Sequence, residues 1–325
     1  MANKPFIIDA LQYSKWSKTI FQQMNNSGVA GVHVTIAYHE NFLEMVNNII
    51  AWNRYFEEYS NMIIHGKTTE DICRAHNEGK TAIIFGFQNC SPIVDNLGLL
   101  DICHQLGVRI MQLSYNNQSL LATGCYETSD AGITRMGRQV IQEMNRLGMI
   151  IDMSHSSSVS TLEAINHSAR PIAITHANPT FWHNALRNKS DEVLNRLSEN
   201  GGMLGFSLYP HHLNNGSDCS IRDFCLMVAK TAEKIGVDNI GFGSDLCQNQ
   251  PDSIVKWMRN GTWTKDVEFG EGTKDAPGFP DQPKWFQSNI DFHNIINELK
   301  QIGFSNSEVE KISGKNWLNF YKGYF

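Results

Sequence analysis

Short, mostly apolar runs of about four to seven residues recur along the chain, and between them apolar positions repeat with helical spacing. The runs Phe6–Asp9, Val29–Thr35, Ala82–Phe87, Val108–Ser114, Met149–Met153, Pro171–Thr175, Met203–Leu208 and Asn239–Gly243 are apolar on both faces, as strands buried in a parallel sheet are. The stretches Asn41–Tyr59, Thr69–Glu78, Met136–Arg146 and Ser190–Asn200 predict helices. Gly79, Gly107, Gly148, Gly201 and Gly236 each stand just ahead of the next strand, the place for a helix C-cap. Eight strand–helix units predict a (β/α)8 TIM-type barrel. A doubly wound sheet is the alternative fold, but no Gly-x-Gly-x-x-Gly loop follows the first strand to support a dinucleotide site.

The regular pattern breaks after the eighth strand. Residues 247–287 are rich in Gly, Pro and Trp, with Trp257, Trp263 and Trp285 among them. This stretch reads as an irregular lid or insertion on a single domain spanning 1–325, because it leaves from the strand end where barrel active sites lie. The other reading is a flap over the barrel bottom. Helices at about Ile290–Ile302 and Ser307–Tyr321 close the chain, the last opened by a capping box in Ser305-Asn-Ser-Glu308.

A length of 325 residues suits one barrel of roughly 250 residues with insertions. With 41% hydrophobic and 18% charged residues the chain is globular rather than disordered. A net charge of −6 without a basic stripe argues against nucleic acid and anionic membrane surfaces as partners. The N-terminal residues show no secretory pattern and no run reaches the length of a membrane span, so the expected location is cytoplasmic. Seven cysteines without a Cys-x-x-Cys pair read as reduced thiols. Cys90 and Cys247 stand out, each two residues past a predicted strand end.

Residues just past strand C-termini build barrel sites, and here they are polar throughout: Asp9, Thr35, Gln88, Tyr115, His155, His176, Tyr209 and Asp245. His155 follows Met149-Ile-Ile-Asp-Met-Ser, His176 follows Pro171-Ile-Ala-Ile-Thr, and Asp245 follows Asn239-Ile-Gly-Phe-Gly-Ser. Two imidazoles and a carboxylate on one rim point to a divalent metal used hydrolytically. Other polar residues carry less. The adjacent His211 and His212 lie in a polar loop, where histidines are ordinarily solvated. Glu40, Glu127 and Asp130 read as loop residues rather than substrate contacts, and Asp9 as a residue that fixes the first strand end by hydrogen bonds.

Several stretches together resemble the membrane (renal) dipeptidase family of zinc peptidases, within the amidohydrolase superfamily. They are Ile150-Ile-Asp-Met-Ser-His-Ser156, Pro171–His176 followed by Arg187-Asn188 and Asp191-Glu192, Gly201-Gly202, Gly241-Phe-Gly-Ser-Asp245, Glu143-Met-Asn-Arg-Leu-Gly148 and Ile312-Ser-Gly-Lys-Asn316. The resemblance runs from about residue 6 to residue 321. It implies two zinc ions sharing a bridging carboxylate. His155 and His176 match the histidines of the second ion. Asp245 matches an aspartate that binds the first ion and handles the proton of the attacking water, and Arg187 an arginine that contacts substrate. The resemblance also implies a homodimer.

The chain departs from this pattern at three ligand positions. Where the family has Asp-Gly-His-x-Asp, this sequence reads Asp9-Ala-Leu11-Gln-Tyr13, and Gln88 replaces the bridging glutamate. Tyr115 stands where the family has a substrate-binding histidine, and so belongs to the expected substrate pocket. Two dications about 4 Å apart need negative charge between and around them, and Asp245 alone supplies it at a matched position. The expectation is therefore one Zn²⁺ on His155 and His176, or none, with Asp245, Gln88 or a thiol as third ligand. The leading function is a hydrolase cleaving an amide bond in a small-molecule substrate such as a dipeptide. The alternatives are a non-catalytic small-molecule-binding barrel and a metal-free acid–base enzyme on the same scaffold.

Overall fold

The computed structural model describes residues 4–261, 265 and 270–325, so Trp263 lies outside the described residues. The strands are β1 (Ile7–Gln12), β2 (Val29–Ala37), β3 (Ile63–His65), β4 (Thr81–Phe87), β5 (Val108–Gln112), β6 (Ile150–Asp152), β7 (Ala173–Ile174), β8 (Met203–Phe206) and β9 (Ile240–Phe242). The α-helices are α1 (Lys18–Ser27), α2 (Phe42–Glu58), α3 (Thr69–Asn77), α4 (Gly98–Gln105), α5 (Arg135–Leu147), α6 (Ser158–His167), α7 (Asp191–Glu199), α8 (Ile221–Ile235), α9 (Ser253–Asn260), α10 (Phe292–Gln301), α11 (Asn306–Glu310) and α12 (Asn316–Tyr321).

All pairings between these strands are parallel. β1 lies between β2 and β9, β2 pairs onward with β4, and pairing then runs through β5, β6, β7 and β8 back to β9. Eight strands thus close into a (β/α)8 barrel, and they are the eight that the apolar runs predict. β3 is the ninth. It pairs with Thr81–Ile83 at the start of β4, a stretch that β5 does not reach because its pairing begins at Phe85. Three residues, Ile63-Ile-His65, are too short a run to register as a strand from pattern alone.

Local chemistry explains the helix ends. Ser17, Asn41, Thr68, Thr134, Ser157, Ser190, Ser220 and Ser305 each accept a hydrogen bond from an amide in the first turn of the helix they precede. The capping box at Ser305 forms: its hydroxyl accepts from Glu308 N at 3.3 Å, and the Glu308 carboxylate accepts from Ser305 N at 2.8 Å. The closing helical region bends through a π-helical turn at Lys311–Lys315 between α11 and α12. Trp317 and Tyr321 of α12 then pack with Ile8, Ile84, Ile110 and Ile150 in a second core, and Trp317 Nε1 donates to the Phe242 carbonyl at 2.9 Å.

The backbone seam between β6 and β7 is thin, with one paired position, Asp152 with Ala173. Side chains stitch what the backbone does not. The Thr175 amide donates to Asp152 Oδ1 at 3.0 Å and the His176 amide to Ser154 Oγ at 3.1 Å. The Thr175 carbonyl is approached so closely by β8 and the segment after β9 that a Cβ on Gly205 or Gly243 would lie 1.9 or 1.6 Å from it. Only glycine fits at either position.

The segment after β9 is not wholly irregular. It contains α9, whose Ile254, Val255, Trp257 and Met258 are apolar, between the breakers Pro251 and Gly261. Among the described residues no helix is long and apolar enough to cross a membrane.

Candidate active site

The site grows out of the β6–β7 seam. Asp152, at the end of β6, is fully buried and accepts four hydrogen bonds: from Ser154 N (3.0 Å), Ser154 Oγ (2.5 Å), Thr175 N (3.0 Å) and Thr175 Oγ1 (2.5 Å). Because the Thr175 hydroxyl donates to Asp152, its oxygen accepts from His176 Nδ1 at 2.8 Å. That assigns the His176 proton to Nδ1 and leaves a lone pair on Nε2. His155 is held the same way. Its Nδ1 donates to Asn116 Oδ1 at 2.6 Å, and its backbone amide donates to Gln112 Oε1 at 3.1 Å.

Both free nitrogens then meet. His155 Nε2 lies 3.0 Å from His176 Nε2 and 3.0 Å from Gln88 Oε1. The Gln88 amide is fixed in this orientation because its Nε2 donates to Thr35 Oγ1 (2.8 Å) and Tyr38 OH (2.7 Å). Two nitrogen lone pairs and a carbonyl oxygen therefore face each other with no proton assigned between them. Protonation is disfavoured: burial first, and then the nearby Arg187 charge, hold both imidazoles well below their ordinary pKa. Nitrogens 3.0 Å apart are within the span of two ligands each about 2.0–2.1 Å from one zinc ion. The donors gathered here are two imidazole nitrogens and one amide oxygen, and among the described residues no three His, Cys, Asp or Glu side chains gather as a ligand group.

The opposite part of the rim is aromatic. Leu11 is fully buried, and Tyr13 packs edge-on against Tyr38 at 4.8 Å between ring centroids. Tyr38 in turn packs against Tyr115 (5.1 Å) and Trp257 (5.7 Å), and Tyr115 stacks on His155 at 4.1 Å. Burial raises all three phenols above their ordinary pKa, so they are neutral. None brings the negative charge that a second cation would require.

Asp245, Arg187, Tyr115, His155 and Gln88 line one small cavity of about 50 Å³, together with Tyr209, His211, His212 and Cys247. Asp245 sits in left-handed backbone at φ 56°. Burial pushes its carboxyl up to about 7, against the opposing field of Arg187. The Arg187 side chain is buried, with Nη1 donating to the Ser154 carbonyl and Nη2 to the His176 carbonyl, the latter at 3.2 Å. Lys189 is buried beside it, donates to the Ser156 carbonyl at 2.7 Å, and is pushed down to about 7, chiefly by burial and then by Arg187. The segment after β9 supplies Val255, Met258, Arg259, Glu271 and Phe279 to the cavity wall, which puts it on the strand C-terminal face.

Some residues take places that the sequence did not indicate. His212 is buried, not solvated, with Nδ1 2.7 Å from Ser207 Oγ and Nε2 3.6 Å from Glu271 Oε2. A 3₁₀ turn that begins at Pro210 folds it inward. Glu271 comes from a stretch without periodicity, and Asp152 reads in sequence only as the last polar residue of an apolar strand. Three weighed carboxylates are structural. Glu40 accepts from Tyr38 N and His39 N, Glu127 from Gln118 N, and Asp130 from Ser157 Oγ and Val159 N. Asp9 ties the end of the barrel together by accepting from Ser244 N at 2.7 Å and Gln12 Nε2 at 2.8 Å. All seven cysteines are free thiols.

Known proteins resemble this chain in sequence and fold. The family model for the membrane dipeptidases, peptidase family M19, matches residues 11–257. The chain belongs to that family. A curated relative, dipeptidase tcpJ of Claviceps purpurea, is 27% identical over 284 residues, covering 86% of this chain and 59% of its own length. The chain thus spans less than two thirds of that relative. The crystal structure of an amidohydrolase from Pseudomonas aeruginosa superposes with a TM-score of 0.93 at 31% identity, covering 98% of this chain and 97% of that one. A metallopeptidase from Rhodobacter sphaeroides, solved with a phosphinate mimic of the dipeptide L-Ala-D-Ala, shares the fold at a TM-score of 0.80 and 16% identity, covering 99% and 100% of the two chains. The M19 peptidases are a family of zinc metallopeptidases.

Proposed function

We propose that this M19 member hydrolyses the amide bond of a dipeptide or a similarly small amino-acid derivative at a reduced metal site, one zinc ion held by His155 and His176. The observation that carries the reading is the pair of Nε2 lone pairs 3.0 Å apart, each with its Nδ1 proton committed to a fixed acceptor. Gln88 Oε1 is the neighbouring oxygen donor. A cation held there supplies Lewis-acid polarisation and a lowered water pKa. The chain's own residues do the rest. The Asp245 carboxylate takes a proton from the attacking water and returns it to the leaving amine, a double task suited to a group that titrates at about 7. Arg187, fixed by two backbone carbonyls, holds a substrate carboxylate with its remaining N–H groups. Tyr115, flat against His155, forms the substrate-facing wall. The segment 247–287 acts as a lid that limits water around the reacting bond.

The test is zinc per chain by elemental analysis, beside the double variant His155→Ala/His176→Ala, followed by a dipeptide screen. The expected result is about one zinc in the native chain, none in the variant, and at least a hundredfold loss of cleavage. Native protein that stays free of zinc after reconstitution overturns the metallohydrolase. The neutral phenols around Tyr38 and the lack of a three-residue ligand group among the described residues then favour the metal-free acid–base enzyme or the non-catalytic binding barrel.

A further inference from the structure

The catalytic cavity has a neighbour. A second, side cavity shares Tyr115 and Arg259 with it and is otherwise walled by His39, Asn89, Ser91, Asn117 and Gln118, among others. Among the described residues no carboxylate lines this groove. Arg259, near the end of α9, is the guanidinium common to both spaces.

Arg259 is held in position. Its Nη1 donates to the Pro277 carbonyl at 3.3 Å, and its side chain hydrogen-bonds the Tyr209 phenol, so it is fixed to the covering segment and to the rim after β8. The helix that carries it is tied down as well, since His39 Nε2 lies 3.0 Å from the Met258 carbonyl. Glu271 feels the field of Arg259, but no described carboxylate lies within ion-pair distance of it. A guanidinium has five N–H donors, so the two anchoring bonds found among the described residues leave donors for a carboxylate. Arg187 cannot serve the groove, because it is buried at the seam and does not line it.

We propose that the side groove is a subsite for an acidic substrate side chain, with Arg259 receiving its carboxylate. The preferred substrate then carries two carboxylates, one at Arg187 and one at Arg259, as a dipeptide or N-acyl derivative of glutamate or aspartate does. This rests on the reading of the main cavity as a substrate site.

Binding isotherms of racemic N-acetylglutamate and racemic N-acetylglutamine, which match in size and differ in side-chain charge, test it without requiring turnover. The native chain is expected to bind the charged probe at least tenfold more tightly. Arg259→Gln should erase that preference, Arg259→Lys should keep part of it, and Arg187→Gln should weaken both probes alike. Equal native affinities, a preference that survives in Arg259→Gln, or no binding of either probe overturns the subsite. A charge preference in a protein that cleaves no dipeptide supports the subsite and sinks the hydrolase reading. Cleavage of Ala-Ala and Ala-Glu at equal rates does the reverse.

Discussion

The two sides of the barrel rim are built on opposite principles. At β6 and β7 polar groups are tied to one another: Asp152 takes four hydrogen bonds, Thr175 passes one to His176, and Arg187 binds two strand-end carbonyls. At β1 and β2 the corresponding space is filled by Leu11, Tyr13 and Tyr38, packed edge-to-face and neutral. The contrast shows what separates a site for one cation from a site for two. Neutral imidazoles can hold an ion, but only carboxylates can offset the repulsion between two ions. Gln88 stands at the boundary, with its carbonyl toward His155 and its amide protons toward the hydroxyls of Thr35 and Tyr38.

The largest effect is expected from breaking the ordered side. Asp152→Asn puts an amide NH₂ against donors that now point at a carboxylate, so at least one of four buried hydrogen bonds is lost and His176 loses its orienting chain. Zinc affinity should fall ten- to hundredfold and stability by about 2–4 kcal/mol, read by metal titration and urea unfolding. Unchanged zinc affinity would show that Thr175 orients His176 without the carboxylate.

The aromatic side can be turned into a copy of the other. Leu11→His, Tyr13→Asp and Gln88→Glu together restore two ligands and the bridging charge. The hydroxyls of Thr35 and Tyr38, which accept from Gln88, can rotate to donate to a glutamate. Zinc should rise from about one to about two per chain by elemental analysis. A stoichiometry fixed at one would mean that Tyr38 and Trp257 physically occupy the second position.

A smaller change sharpens the electrostatics of the ordered side. Lys189 has its pKa lowered from 10.5 to about 7 in the fold. Between those values the unfolded chain binds more protons, so this group's contribution to stability rises with pH across that window, and its destabilising effect is complete below about 7. Lys189→Met should therefore stabilise the protein at pH 6, by roughly 2 kcal/mol after loss of the bond to the Ser156 carbonyl. The gain should vanish near pH 10.5, as measured by thermal unfolding across pH. A pH-independent gain would assign the effect to packing.

Much of this was legible in the sequence because it is periodic or punctuated. The eight barrel strands are continuous apolar runs. Gly79, Gly107, Gly148, Gly201 and Gly236, marked as C-caps, all have positive φ, from 71° to 102°. His155 and His176 stand out as polar residues closing apolar strands. What could not be read depends on contacts across the chain. Glu271 enters the cavity from a stretch with no repeat, and α9 is one short helix hidden between Pro251 and Gly261. His212 is buried because a turn folds it inward, which two adjacent histidines in a polar loop do not announce. Nor does the sequence show that Asp152 works through Thr175, since that needs the β6–β7 register.

That seam also couples the site to the breathing of the barrel. The amides of Thr175 and His176 bond to side chains rather than to a neighbouring strand, so they exchange with solvent only when Asp152 and Ser154 let go. The same release frees Thr175, whose hydroxyl orients His176. Hydrogen exchange at these two amides thus reports how often His176 is released from the chain that orients it.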